Sequence, residues 1–176
     1  MAKRTRGFTL VEVLIILAVV GIAFGVAIPR LESLSPKYAM RSAARELASQ
    51  LEFVRSQAVM RVKTFAIFYE LDRDRYTVVL PPEEGGSDLP VEDWPRLEPV
   101  SLPTLVKFHG IVLADNTLKE TRDAPEVTVF FDPVGALGNH VVVLEDTEGR
   151  VLSVKFNALT GTVDFFEEVV GFARYE

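Results

Sequence analysis

The feature that most constrains this chain is an apolar run near its N-terminus, from Phe8 to Ile28, interrupted by a single carboxylate at Glu12. As a helix, these 21 residues extend roughly 31 Å, which matches a hydrocarbon core of about 30 Å. The six residues before Gly7 carry Lys3, Arg4 and Arg6 and no acid. Such a flank stays on the cytoplasmic side, so the segment that follows is expected to cross the membrane outward. A carboxylate within a spanning helix costs on the order of 2.5 to 3.5 kcal/mol near the bilayer centre and less near an end. Glu12 therefore needs a compensating partner.

The run Gly7-Phe8-Thr9-Leu10-Val11-Glu12-Val13-Leu14 resembles the class III signal of type IV pilins and pseudopilins. The resemblance implies that a prepilin peptidase cuts after Gly7 and that the new N-terminal amine, on Phe8, is methylated. It also implies a role for Glu12 in assembly. An ion pair with the Phe8 amine of a neighbouring subunit would neutralise both charges in apolar surroundings. Pro29, where the apolar run ends, resembles the helix-kinking proline of the family, since its missing N–H loosens a helix. Two other readings compete. A secretory signal cut near Ala23 to Ala27 would release a soluble protein, against which stand the overlong apolar region and the glutamate within it. A plain uncleaved anchor explains the hydrophobicity but leaves Gly7 and Glu12 without a role.

Beyond Pro29 the pattern stays helical. Met40, Ala44, Leu47, Leu51, Val54 and Ala58 recur at spacings of four and three, so they line one face, expected to pack on a folded head. Arg41, Arg45, Ser49, Glu52 and Ser56 fall mostly elsewhere, and Arg55, Arg61 and Lys63 complement the negative helix end. Fewer than three heptads makes a coiled coil a weak rival.

After Lys63 the period becomes alternating. Phe65, Ile67, Tyr69 and Leu71 share a face, Asp72-Arg73-Asp74-Arg75 reads as a turn, and Tyr76 to Leu80 as the return strand of a hairpin. Later strands are expected at Leu105–Phe108, Val127–Phe131, His140–Leu144, Val151–Phe156 and Thr162–Phe166, with Asp146-Thr147-Glu148-Gly149 as a turn. Between Pro81 and Pro103 lie six of the ten prolines and six acidic residues, which reads as a long irregular loop. Trp94 within it is expected to close over the core, or else to meet a partner.

The expected fold class is α+β: a long N-terminal transmembrane helix and stalk packed on an antiparallel β-sheet head. The expected divisions are a cleaved leader at 1–7, the transmembrane helix at 8–28, a periplasmic stalk at 29–62 and the head at 63–176, with its loop at 81–103. This layout is similar to the group of minor pseudopilin H (GspH) of type II secretion and the minor pilin FimT. The stalk from Ala44 to Arg61, Phe131-Asp132-Pro133-Val134-Gly135 and Thr160-Gly161 contribute to that resemblance.

Chemistry is harder to find. The chain has no cysteine, which excludes disulfides, thiolate metal sites and cysteine nucleophiles. His109 and His140 are isolated, and no nucleophile elbow, phosphate loop or metal cluster is legible. No catalytic residue, metal or cofactor is expected. Asp72 with Asp74, and Glu145, Asp146 and Glu148, could offer oxygens to calcium, but hairpin turns explain both better.

The formal net charge is -6, and without residues 1 to 7 it is -9, so nucleic acid is not expected as a partner. Residues 30 to 63 carry seven basic and three acidic side chains, whereas 64 to 176 carry nine and twenty-one. Ordinary solvated surface would account for this. Alternatively Arg30, Lys37, Arg41 and Arg45 meet anionic lipid or acidic neighbouring subunits.

The resemblance thus implies a structural subunit that initiates or caps the pseudopilus of a type II secretion system. Its expected partners are other pseudopilins or pilins, prepilin peptidase, the inner-membrane assembly platform and membrane lipid. Its expected site is the bacterial inner membrane, with the N-terminus cytoplasmic and the head periplasmic. A minor pilin used in DNA uptake is the alternative, although Thr162 stands where such relatives carry a basic residue. An anchored enzyme would instead require a pocket of convergent polar groups and perturbed acids.

Overall fold

The computed structural model describes residues 10–19, 36–82 and 90–172, and the chain divides into two compact units, residues 1–35 and 36–176. In the first unit residues 10–19 are helical (α1), a stretch with no glycine or proline to interrupt its backbone bonds. Among the described residues no helix is long and apolar enough to cross a membrane. The α1 residues are ten of the 21 in the expected span, and Gly7, Phe8 and Pro29 lie outside the described residues.

The second unit opens with α2 (Pro36–Arg61). Proline suits a helix start, where its missing N–H would have had no intrahelical partner. The expected face is the buried one: Met40, Ala44, Leu47, Leu51, Val54 and Ala58 are all buried, joined by Ala43 and Ala48. The helix stops in a paired cap, with Lys63 N–H donating to the Ala58 carbonyl at 3.2 Å and Val62 N–H to Val59 at 3.4 Å. This geometry places Val62 at φ +52, a left-handed conformation normally left to glycine.

The head is antiparallel throughout, in two sheets. The first has the order β3-β2-β1-β6 and the second β5-β4-β7-β8-β9. The strands are β1 (Phe65–Glu70), β2 (Arg75–Val79), β3 (Val100–Ser101), β4 (Val106–Leu113), β5 (Leu118–Glu120), β6 (Glu126–Phe131), β7 (His140–Asp146), β8 (Val151–Asn157) and β9 (Thr162–Phe166). The α2 apolar face closes on one core with Phe65, Ile67 and Phe131 from the first sheet and Leu144, Val154 and Phe156 from the second. Each such large apolar side chain contributes about 1.5 to 3 kcal/mol through burial.

The other face of the second sheet is covered as well. Val112, Val141 and Val143 pack there with Val170 and Phe172. The C-terminal segment is tied down by bonds from Ser153 Oγ to the Glu168 carbonyl at 2.6 Å and from Phe172 N–H to Asn116 Oδ1 at 2.6 Å. Cover on both faces explains why His140 to Leu144 are buried without alternation.

Three details depart from expectation. β4 continues to Leu113, past the end expected at Phe108, with an irregular register between Phe108 and Gly110. Glycine at 110 admits a neighbour: a Cβ there would lie 2.7 Å from the Lys119 carbonyl of β5. The short strands β3 and β5 were not anticipated. Within the proline-rich stretch, residues 95–97 follow β2, with Leu80 N–H donating to the Pro95 carbonyl and Leu97 N–H to Val78.

Candidate assembly site

Glu12 sits on α1, and every described residue of this helix is exposed. The exposure is apolar on all sides, from 46% at Val13 to 77% at Leu10. A helix that is hydrophobic all round is stable only when lipid or other helices surround it. With Gly7, Phe8 and Pro29 outside the described residues, the expected pairing of Glu12 with the Phe8 amine has no geometry here.

In the second unit Lys37, Arg41, Arg45 and Arg55 of α2 fall on one flank. Arg41 Nη2 donates to Glu167 Oε1 at 2.7 Å, with Lys37 Nζ 3.8 Å from the same oxygen. The Arg41 bond, with help from Lys37, holds the Glu167 carboxyl below its ordinary range. Further along, Arg55 Nε donates to the Ala158 carbonyl at 2.5 Å, binding the helix to the turn before β9. Arg41, Arg45, Leu152, Phe165 and Glu167 line an open hollow of about 270 Å³. The sequence flagged Lys37, Arg41 and Arg45 but not Glu167, whose bond to Arg41 spans 126 positions and leaves no local trace.

The chemical candidates resolve into structure. His140 is wholly buried. Its Nδ1 lies 2.7 Å from the Gly138 carbonyl, which can only accept, so the proton is on Nδ1. Nε2 then accepts from the Tyr69 hydroxyl at 2.9 Å. Burial depresses His140 to about 4, the Gly138 bond opposing in part. His109 Nδ1 lies 2.9 Å from Glu145 Oε2.

Of the carboxylates considered for calcium, Asp74 and Asp146 already accept hydrogen bonds within the head. Asp74 Oδ1 accepts from Phe108 N–H at 2.8 Å. Asp146 Oδ1 accepts from Glu148 and Arg150 N–H, and its Oδ2 from Arg150 Nε at 2.7 Å. A shallow hollow of about 630 Å³ opens beside Phe68, Glu70, Glu92, Arg96 and Glu126. Arg96 stacks over Phe68 at 4.6 Å, and Glu70 is engaged by Arg75 and Arg73, so neither group is poised for catalysis. Trp94 is half-buried after the 3₁₀ turn Val91–Asp93.

Residues 2–28 match the prokaryotic N-terminal methylation motif, and residues 43–160 match the family described as type II transport protein GspH. No curated protein matches the sequence. The fold is similar to two crystal or solved structures of the minor pseudopilin EpsH from the type II secretion system of Vibrio cholerae. One has 13% identity and a TM-score of 0.59, covering 77% of this chain and 99% of that chain. The other has 12% identity and a TM-score of 0.53, covering 73% and 96%. At such identities the likeness concerns the fold alone. The minor pilin FimU of Pseudomonas aeruginosa matches at 18% identity, covering 74% of this chain and 90% of that chain, with a TM-score of 0.45, too low to carry an argument.

Proposed function

Because this chain belongs to the GspH family of type II transport proteins, structural subunits rather than enzymes, we propose that it is a minor pseudopilin of a type II secretion system. It assembles with other pilin-like subunits. In this reading, peptidase cleavage removes residues 1–7 and the Phe8 amine is methylated. Residues 8–28 anchor the chain in the inner membrane, with Pro29 as the kink before the stalk at 29–62. The head at 63–176 faces the periplasm and helps to initiate or cap the filament.

The observation that carries this reading is α1 itself: an apolar surface on every side, one glutamate within it, and a methylation motif spanning residues 2–28. Lipid satisfies such a surface before assembly and neighbouring helices satisfy it afterwards. The cut at Gly7 creates the amine that Glu12 needs, so processing and polymerisation depend on one pair of charges.

Gly7→Ala and Glu12→Ala test the two halves. Gly7→Ala is expected to keep its leader, seen as an unprocessed mass. Glu12→Ala is expected to be processed yet fail to enter filaments. A normally processed Gly7 variant, or a normally assembling Glu12 variant, would overturn the corresponding role. The family description supports secretion over a pilus used in DNA uptake. Loss of protein secretion with pili retained, in a strain lacking this chain, is the expected outcome.

A further inference from the structure

We propose that the outer edge of β9, together with the basic flank of α2 beside it, receives an extended acidic segment of a neighbouring subunit by strand addition. The inference rests on the reading of this chain as an assembling subunit.

β9 is the last strand of its sheet, and among the described residues no strand pairs with its outer side. Its pairing with β8 is regular from Asn157↔Thr162 to Ser153↔Phe166. The sequence Thr-Val-Asp-Phe-Phe contains no proline, lysine or bulge, the devices that usually protect an exposed edge. The other terminal strands suit this role less well. β3 and β5 have two and three residues, and β6 borders a hollow holding Glu70, Glu92 and Glu126 against Arg96.

α2 follows β9 along its length. Arg41 meets Glu167 just beyond the end of β9, while the Arg55 side chain lies 3.9 Å from where a Cβ on Gly161 would stand, just before its start. Lys37, Arg41 and Arg45 recur every four residues, so they share a flank. A strand laid on β9 would turn alternate side chains toward this flank and toward the hollow of about 270 Å³ floored by Leu152 and Phe165. Phe165 is 46% exposed there. Glu167 already seats a carboxylate on Arg41 and Lys37. Arg45 makes no ion pair among the described residues, and it remains for an incoming acid.

The charge of the chain supplies the complement. Residues 64 to 176 bear twenty-one acidic against nine basic side chains, so heads of this kind present acids to a basic flank. A nucleic acid fits less well, since an open strand edge offers backbone groups that only another peptide strand matches.

The test uses the full chain in detergent micelles and three probes: a labelled ten-residue peptide alternating Glu and Val, its Lys and Val counterpart, and single-stranded oligothymidine. Saturable binding of the acidic peptide is expected, with slower amide exchange across residues 162–166. Arg45→Glu is expected to weaken binding about tenfold, and the milder Arg45→Gln, which keeps an uncharged polar side chain, to weaken it less. Equal binding of the lysine peptide, binding without protection of β9, or displacement of the peptide by oligothymidine would each overturn the proposal. Processing and assembly of the Gly7 and Glu12 variants are read separately. A failure of peptide binding alone removes this inference and leaves the pseudopilin reading intact.

Discussion

Replacing His140 by Gln removes a titrating group from the centre of the core, and the consequence is a change in how stability follows pH. His140 packs within 5.8 to 6.1 Å, centroid to centroid, of Tyr69, Phe131 and Phe156. Burial lowers its pKa from 6.5 to about 4. An unfolded chain takes up a proton on this ring near pH 6.5, while the folded one resists until about 4. Between those values the unfolded state binds more protons, so stability falls as pH falls, and below about 4 this group adds no further loss. At 1.36 kcal/mol per pH unit, the full loss is about 3 kcal/mol.

Glu70, Glu145, Asp146 and Glu167 all have lowered pKa values. Their contributions are lost only as pH falls below the ordinary carboxylate range, under the histidine window. The variant should be less stable at pH 7 by about 1 to 3 kcal/mol, because the Tyr69 and Gly138 bonds are disturbed. Between pH 6.5 and 4.5, however, it should lose about 2 kcal/mol less than the parent. Urea unfolding of residues 36–176, followed by circular dichroism at stepped pH, measures both quantities. Parallel pH profiles for the two proteins would refute the buried neutral histidine.

Gly135 has φ +75, and a Cβ there would lie 2.7 Å from the Ala158 carbonyl. Gly149 has φ +76 and nothing within 4 Å. Gly149→Ala should therefore cost about 1 to 2 kcal/mol from backbone conformation alone, and Gly135→Ala clearly more; equal costs by thermal unfolding would contradict the packing argument. Val62→Gly should stabilise the head by about 1 kcal/mol by relieving the left-handed valine, and a lower Tm would count against it. Arg75→Ala removes the 2.6 and 2.7 Å bonds to Glu70. Arg75 is open to solvent, so water can replace its bonds and only a small fall in Tm is expected. Glu70's lowered pKa makes that difference largest at neutral pH and smaller as pH falls below the ordinary carboxylate range.

Periodicity is a local property, and what it governs was legible. The spacing from Met40 to Ala58 identifies the buried face of α2, and alternation from Phe65 to Leu71 identifies the first hairpin. The odd glutamate in an apolar run points to membrane assembly with no tertiary information at all. Where two effects compete at one residue the sequence misleads. The strand expected to end at Phe108 runs on through Gly110 to Leu113, because β5 packs against the glycine's missing side chain. Val62 gives no warning that it closes a helix in the left-handed region.

Partnerships between distant residues belong to the tertiary structure. The apolar run near the N-terminus, with Glu12 in it, needs only its own composition to demand lipid or helical neighbours, because every face of such a helix is hydrophobic. The joining of Tyr69 to His140, of Arg41 to Glu167 and of Arg55 to Ala158 depends on strand order and on where α2 crosses the sheets. Many sequences with the same patterns could satisfy their cores in other registers. In this one, sheet order leaves β9 at an edge beside a row of arginines.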